Sequence, residues 1–155
     1  MGRRLRCAVG RGGIDDKRGE GDRITPRGVW RLRQVWYRPD RVLPVRSAVP
    51  CRVIGVGDSW SDDPADPAYN RWCRARGTAG FSRELLRRAD RMYDLVAVTD
   101  FNWCGAVPGA GSAIFLHVWR TPRYPTAGCV GFARPDLAWV LAHWAPRSRL
   151  VIGPV

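Results

Sequence analysis

The sequence predicts a mainly β, single-domain fold with two helices. Three observations favour this class. The chain has 155 residues, enough for one domain with a single core. Apolar residues recur at every second position in several short segments, as they do in half-buried strands. Glycine and proline, with 17 and 12 residues, punctuate the chain between those segments. We therefore expect one domain over residues 1–155.

The first half of the chain predicts three strands separated by loops. Residues 5–9 alternate between apolar and small or basic side chains, and a glycine-rich polar loop follows over 10–28. Residues 29–37 carry tryptophan and leucine on one face at period two, and 51–56 form a third candidate strand. Residues 62–67 read as a loop, because clustered Asp and Pro resist both ladders and helices.

The second half predicts both helices and the strongest strand. Ser82 is expected to cap a helix that reaches Met92. Strand character returns over 94–99 and is clearest over 112–119, where alternate residues face opposite sides. Pro135 suits a first helical position, since its φ is already fixed.

The helix after Pro135 shows an amphipathic pattern. Leu137, Leu141 and Trp144 form its apolar stripe together with Val140. Residues 149–152 then predict a closing strand.

The chain is strongly basic, with a formal net charge of +12. Arginine supplies 25 of the 26 basic residues, and Lys17 is the single lysine. Such a charge attracts polyanions such as nucleic acid, anionic lipid or an acidic wall polymer. The arginines are dispersed, however, and the densest group, over residues 83–91, is typical of a solvated helix face. We therefore expect no nucleic-acid partner, and a non-catalytic basic polyanion-binding module is the less favoured alternative function. No run of about 18 apolar residues predicts a transmembrane segment.

The five cysteines do not predict a metal centre. No pair has Cys-x-x-Cys spacing and the chain has two histidines, so we expect no metal ligands. We interpret four of the five as core or disulfide residues. These are Cys7, Cys51, Cys73 and Cys104.

Cys129 has a different setting, which predicts nucleophilic chemistry. Gly128 precedes it, and His117 lies twelve positions upstream on the strongest predicted strand. A histidine base that takes the proton of a cysteine thiol is the start of acyl transfer. The backbone amides of Gly128 and Cys129 are the candidate oxyanion hole. The alternative is that Cys129 is a small buried core residue and His117 a hydrogen-bonded strand histidine. His143 is expected to be exposed, because it lies off the apolar helix stripe.

Segments along nearly the whole chain resemble the L,D-transpeptidase (YkuD-like) catalytic domain, in a divergent branch. His117 and the segment Thr126-Ala127-Gly128-Cys129-Val130 resemble its active-site signature. The remaining matching segments are Cys7 to Ile14, Lys17, Gly21-Asp22, Thr25-Pro26-x-Gly28, Asp62-Asp63-Pro64, Tyr69-Asn70, Glu84-Leu85, Tyr93-Asp94 and Gly109 to Phe115.

The resemblance implies a β-sandwich or barrel fold and a wall-modifying activity. In this family a cysteine, here Cys129, attacks the carbonyl of an L-centre in a peptidoglycan stem peptide, and His117 falls on the activating histidine. A terminal D-amino acid leaves and a thioester forms. An amine of another stem, water or a free D-amino acid then resolves it, so both a transpeptidase and an L,D-carboxypeptidase or amidase stay open. Neither a metal nor an organic cofactor is implied.

Substrate contacts are assigned to polar and aromatic residues near the matched segments. The candidate substrate-binding residues are Thr126, Trp119, Arg120, Tyr124, Tyr69, Asn70, Trp72 and Arg134. For the aromatic residues a place in the core is the alternative.

The sequence departs from the commoner family pattern on both sides of the cysteine. Ala127 stands where that pattern has a histidine, and Gly131 where it has an arginine. Arg120, Arg123 or Arg134 are candidates to supply the missing charge. The activity implies the periplasm or cell envelope, although no signal peptide is visible in this sequence. The acceptor, the type of cross-link and the oligomeric state stay open.

Overall fold

The computed structural model describes residues 2–74 and 80–153. Short strands and one helix make up this part of the chain. The strands are β1 (Cys7–Ala8), β2 (Ile14–Asp15), β3 (Thr25–Pro26), β4 (Gly28–Trp30), β5 (Leu32–Tyr37), β6 (Cys51–Val53), β7 (Asp58–Ser61), β8 (Trp72–Arg74), β9 (Arg83–Leu85), β10 (Leu95–Thr99), β11 (Phe115–Val118), β12 (Val130–Phe132) and β13 (Leu150–Ile152). The helix is α1 (Arg134–Ala142).

A six-stranded sheet in the order β1-β12-β11-β10-β5-β6 forms the centre of the molecule. Its two middle ladders differ, since β10 and β11 run antiparallel and β11 and β12 run parallel. Smaller sheets pair β13 with β4, β2 with β3, and β8 and β9 with β7. None of these sheets closes into a barrel within the described residues. The mainly β, sandwich-like prediction is confirmed. The predicted strands are present with shorter bounds, except that the strand predicted over 29–37 is divided into β4 and β5, which belong to different sheets.

One face of the central sheet packs against α1. Leu116 and Val118 of β11 share a buried cluster with Leu137 and Leu141 of the helix. Both helix leucines are fully buried, which confirms the inner part of the apolar stripe. Complete burial of such a side chain contributes about 1.5–3 kcal/mol. The helix thus anchors β11 from one side.

The three-stranded sheet covers the other face. Trp36, Val96 and Phe115 pack there against Trp60 of β7 and, just past β9, Leu86. Because side chains alternate along a strand, His117 projects on the same side as Phe115. The candidate base therefore lies between the two sheets, on the side opposite the helix.

The helix predicted from Ser82 is wrong. Residues Arg83–Leu85 form β9, in which Glu84 lies opposite Trp60 of β7. The Leu86 N–H continues this pairing by donating to the Asp58 carbonyl over 2.9 Å. Pairing with a strand more than twenty residues away thus satisfies the backbone N–H and C=O groups that a helix would have satisfied locally. Within the described residues α1 is the single helix, and it is too short to cross a membrane.

The interpretation of four cysteines as core or disulfide residues is also wrong for three of them. Cys7, Cys51 and Cys104 are exposed, and Cys73 is partly buried. All five cysteines are free thiols in the described part of the chain.

Candidate active site

Hydroxyl groups hold the loop that carries Cys129. The Thr126 hydroxyl donates to the Cys129 carbonyl over 2.6 Å, and the Gly128 N–H donates back to that hydroxyl over 3.1 Å. Thr25, on β3, also donates to the Cys129 carbonyl, at 3.4 Å. This loop is tied to the amino-terminal segment as well, because the Thr126 N–H donates to the carbonyl of Val9. The nucleophile loop is therefore fixed from two distant parts of the sequence.

Position 128 requires glycine. Its φ is +141°, which L residues with a side chain rarely adopt. A β-carbon here would also lie 3.0 Å from the Ile24 carbonyl oxygen. The glycine lets the loop approach the β3 region closely enough to present Cys129 at the start of β12.

The Cys129 thiol is protonated at rest. Its Sγ donates to the Ala113 carbonyl oxygen over 3.1 Å and accepts from the Phe115 N–H at 3.4 Å. Burial, together with the nearby Glu84 carboxylate, raises the pKa of this thiol to about 12. The Phe115 N–H and the Lys17 charge act in the opposite direction. Attack on a carbonyl therefore requires a base that removes the thiol proton.

His117 has the protonation state of such a base. It is 4% exposed, and its Nδ1 lies 2.8 Å from the Val118 carbonyl oxygen. A carbonyl can only accept, so Nδ1 carries the ring proton and Nε2 keeps its lone pair. Burial lowers the pKa of His117, although the bond to Val118 opposes the shift. The imidazole is thus neutral and able to take a proton at neutral pH.

The sheet brings His117 and Cys129 to one side of a single cavity. His117 lies opposite Gly131 in the parallel ladder. Cys129 is therefore level with Phe115, which lies two residues before His117 on the neighbouring strand. Neighbouring strands are about 4.8 Å apart and two residues span about 6.6 Å, so the Cα atoms are on the order of 8 Å apart. Both side chains line a cavity of about 360 Å³. The two side chains therefore share one cavity.

A buried acid lies beside this pair. Glu84 lines the cavity, and its carboxylate accepts a 2.6 Å hydrogen bond from the Tyr93 hydroxyl. Burial raises the pKa of Glu84, while the Tyr93 bond lowers it. The Tyr93 ring packs edge-on against His117, with centroids 5.5 Å apart. Tyr93 therefore links the acid on β9 to the orientation of the histidine ring.

The structure brings together some of the predicted substrate-binding residues. Thr126, Arg120 and Tyr124 line the thiol cavity. Trp119 and Arg134 line a neighbouring cavity that also includes Arg120. Arg120 and Met92 line both cavities.

The other three lie away from the thiol cavity. The Tyr69 ring is buried, its hydroxyl bonds Glu20, and the Gly111 N–H donates to that hydroxyl. The Asn70 amide is buried and donates to the carbonyls of the loop at 101–102. Trp72 packs against Trp36 in the second core cluster. His143 is exposed, as expected.

Three residues that line the cavity, Glu84, Tyr93 and Lys17, are not among the site residues that the sequence predicts. Glu84 and Tyr93 were noted as matching family segments, but their approach to His117 depends on strand pairing. Lys17 carried one signal of its own, as the single lysine of the chain. Within residues 2–74 and 80–153, no three His, Cys, Asp or Glu side chains are grouped to hold a metal ion.

Comparison with known proteins identifies the family of the chain. The model of the YkuD L,D-transpeptidase catalytic domain family matches residues 2–152, nearly the whole chain. The chain belongs to this family, whose members are cysteine-dependent acyltransferases acting on peptidoglycan stem peptides. No curated protein and no solved structure matches the chain.

Proposed function

We propose that the protein is a peptidoglycan L,D-transpeptidase with Cys129 as nucleophile and His117 as base. One observation carries the proposal: both side chains line a single cavity, with His117 held in the tautomer that leaves Nε2 as acceptor. Family membership supplies the reaction class. The substrate would be a stem peptide whose terminal D-amino acid leaves.

In the first half-reaction, Cys129 Sγ attacks the carbonyl carbon of the L-centre, and the thiol proton passes to His117 Nε2. The high pKa of the thiol favours this transfer during attack over a stored ion pair. The tetrahedral intermediate collapses, the carbon–nitrogen bond breaks, and the leaving amine takes the proton from the imidazolium. The donor acyl group remains on Sγ as a thioester.

Backbone donors would stabilise the oxyanion of that intermediate. The N–H groups of Cys129 and Gly128 are the proposed donors. The Gly128 N–H donates to the Thr126 hydroxyl over 3.1 Å. It can donate to the substrate only when this hydrogen bond breaks. Thr126 then influences how readily the oxyanion hole forms.

In the second half-reaction, an amine of another stem attacks the thioester. Neutral His117 accepts a proton from this amine, and the thiolate that leaves is reprotonated. The product is an amide bond between two stems. Water as the acceptor gives a shortened monomer instead, which is the carboxypeptidase or amidase reaction of the same site. This function places the protein in the periplasm or cell envelope, also as a proposal.

The test is product analysis with a disaccharide that bears a tetrapeptide stem. The protein is incubated with this substrate, with and without an added D-amino acid, and the products are separated and identified by mass spectrometry. Stem dimers support transpeptidation, and an exchanged terminal residue supports the same thioester. Shortened monomers alone assign the hydrolase. Absence of all three across several stem compositions rejects the proposal.

A further inference from the structure

Lys17 is a buried basic residue that lines the thiol cavity. It is the one lysine among 26 basic residues. Its side chain is only 6% exposed, and it lines the cavity that contains Cys129. Burial of an ammonium group is unfavourable unless partners compensate it. A buried lysine in a chain that otherwise uses arginine therefore calls for a specific reason.

Two partners fix the Lys17 ammonium. It forms an ion pair with Asp22 and donates to the Ile24 carbonyl over 3.3 Å. Burial works against the charge of Asp22, but bonds from Lys17 and from the N–H groups of Ile24 and Arg18 lower its pKa to about 2. An ammonium has three donors. Within the described residues two of them are used, by Asp22 and by the Ile24 carbonyl.

Two glycines allow the backbone to approach the Lys17 side chain closely. A β-carbon at Gly111, whose φ is +107°, would lie 2.7 Å from Lys17 Cε. A β-carbon at Gly128 would lie 3.6 Å from Lys17 Nζ. The ammonium thus lies against the residue that precedes Cys129.

We propose that Lys17 is an active-site cation whose ammonium stabilises negative charge on Cys129 Sγ and on the oxygen of the bound acyl carbonyl. The inference rests on the proposed function in taking Cys129 as the reacting group. The positive charge of Lys17 acts on the thiol against the negative charge of Glu84, the buried acid that lines the same cavity. The thiol lies under the influence of both charges, together with neutral His117 and the Tyr93 hydroxyl.

Two substitutions of the ion pair separate this electrostatic role from a structural one. Lys17→Met and Asp22→Asn both remove the ion pair. Lys17→Met also removes the cation, so the thiolate becomes less stable. Asp22→Asn removes the counter-charge and leaves the cation, so the thiolate becomes more stable. A residue that only supports the loop would give changes in the same direction.

The measurement is the rate of alkylation of Cys129 by iodoacetamide at pH 8, followed on the peptide that contains Cys129. Following this peptide excludes signal from the exposed cysteines. We expect Lys17→Met to slow the reaction about tenfold and Asp22→Asn to accelerate it, since a neighbouring opposite charge moves a pKa by about one to three units. The matched control is Arg18→Met, which removes the same formal charge from a side chain that is 75% exposed. It should leave the rate unchanged.

The inference is overturned if both substitutions change the rate in the same direction, or if Arg18→Met slows alkylation as much as Lys17→Met. If Lys17→Met does not fold, Asp22→Asn decides alone: faster alkylation supports the inference, and an unchanged or slower rate rejects it. If the alkylation rates change as predicted but no peptidoglycan product forms, the proposed function is rejected and the role of Lys17 as a cation stands. Normal turnover with unchanged alkylation in Lys17→Met rejects only the role of Lys17.

Discussion

The Cys129 thiol donates its hydrogen to the Ala113 carbonyl oxygen over 3.1 Å. This bond fixes the direction of the protonated sulfur just before β12. The proton must leave before or during attack, and neutral His117 lines the same cavity. In the proposed mechanism the proton is therefore transferred within the substrate complex.

The two histidines provide a matched pair of variants. His117→Gln removes the base, and we expect kcat/KM to fall by about 10²- to 10⁴-fold, the usual contribution of general base catalysis. His143→Gln changes the other histidine, which is exposed and outside the cavity, and should leave kcat/KM unchanged. Equal losses in both variants would exclude a specific role for His117. Thermal unfolding of each variant checks that the fold persists.

The acid side of the pH profile should report on His117. Burial lowers the pKa of His117 below its ordinary value of 6.5, so the base is fully available above that pH. We expect kcat/KM to be constant above about pH 7 and to fall at lower pH, with a midpoint below 6.5. A midpoint above 6.5 would contradict the buried, neutral histidine.

The same shift has a consequence for stability. The unfolded chain binds a proton at this position more readily than the folded chain does. The contribution of neutral His117 to stability is therefore complete above pH 6.5 and is lost as pH falls through the lower, folded pKa. Urea unfolding of wild type and His117→Gln between pH 5 and 7 measures this difference; equal pH dependence in both would reject the linkage.

Glu84 should lower the reactivity of the Cys129 thiol. Its carboxylate helps to raise the pKa of Cys129, so Glu84→Gln removes a negative charge and favours the thiolate. We expect faster alkylation of Cys129 in this variant at pH 8, measured on the Cys129 peptide. The control is Asp136→Asn, which removes an acid that lies on α1, outside the cavity. Slower alkylation in Glu84→Gln would show that the acid supports the thiolate instead.

Gly10 should be needed for the site although it lies far from Cys129 in sequence. A β-carbon at Gly10 would lie 2.1 Å from the Arg23 carbonyl oxygen, within the segment that ties down the Thr126 loop. We expect Gly10→Ala to lower the midpoint of thermal unfolding and to reduce turnover together. Gly55→Ala is the control, because a β-carbon there would meet neighbours no closer than 3.6 Å. Full stability in Gly10→Ala would contradict the described packing.

The sequence predicted those elements whose pattern is local. The alternation over 112–119 predicted β11 and both of its buried faces, and Pro135 with its apolar stripe predicted α1. The neighbourhood of Cys129 and His117 was predicted as well, from residue type and from the family resemblance. In each case the information lies within a few residues of the chain.

The failures depend on contacts between distant segments. The region after Ser82 has helix-forming residues, but pairing with β7 overrides that preference and places Glu84 in the cavity wall. Lys17 enters the same cavity because Asp22, Gly111 and Gly128 form a slot around it. Spacing along the sequence does not encode such a slot, so these residues became site candidates only in the folded chain.

The acyl-enzyme provides the most direct test of the central claim. The protein is mixed with the tetrapeptide-bearing disaccharide, quenched in acid, and its intact mass and peptides are measured. We predict a mass increase equal to the donor without its terminal D-amino acid, located on the peptide that contains Cys129 and absent in Cys129→Ala. An adduct on another cysteine, or turnover by Cys129→Ala at the wild-type rate, would contradict the claim that Cys129 carries the acyl group.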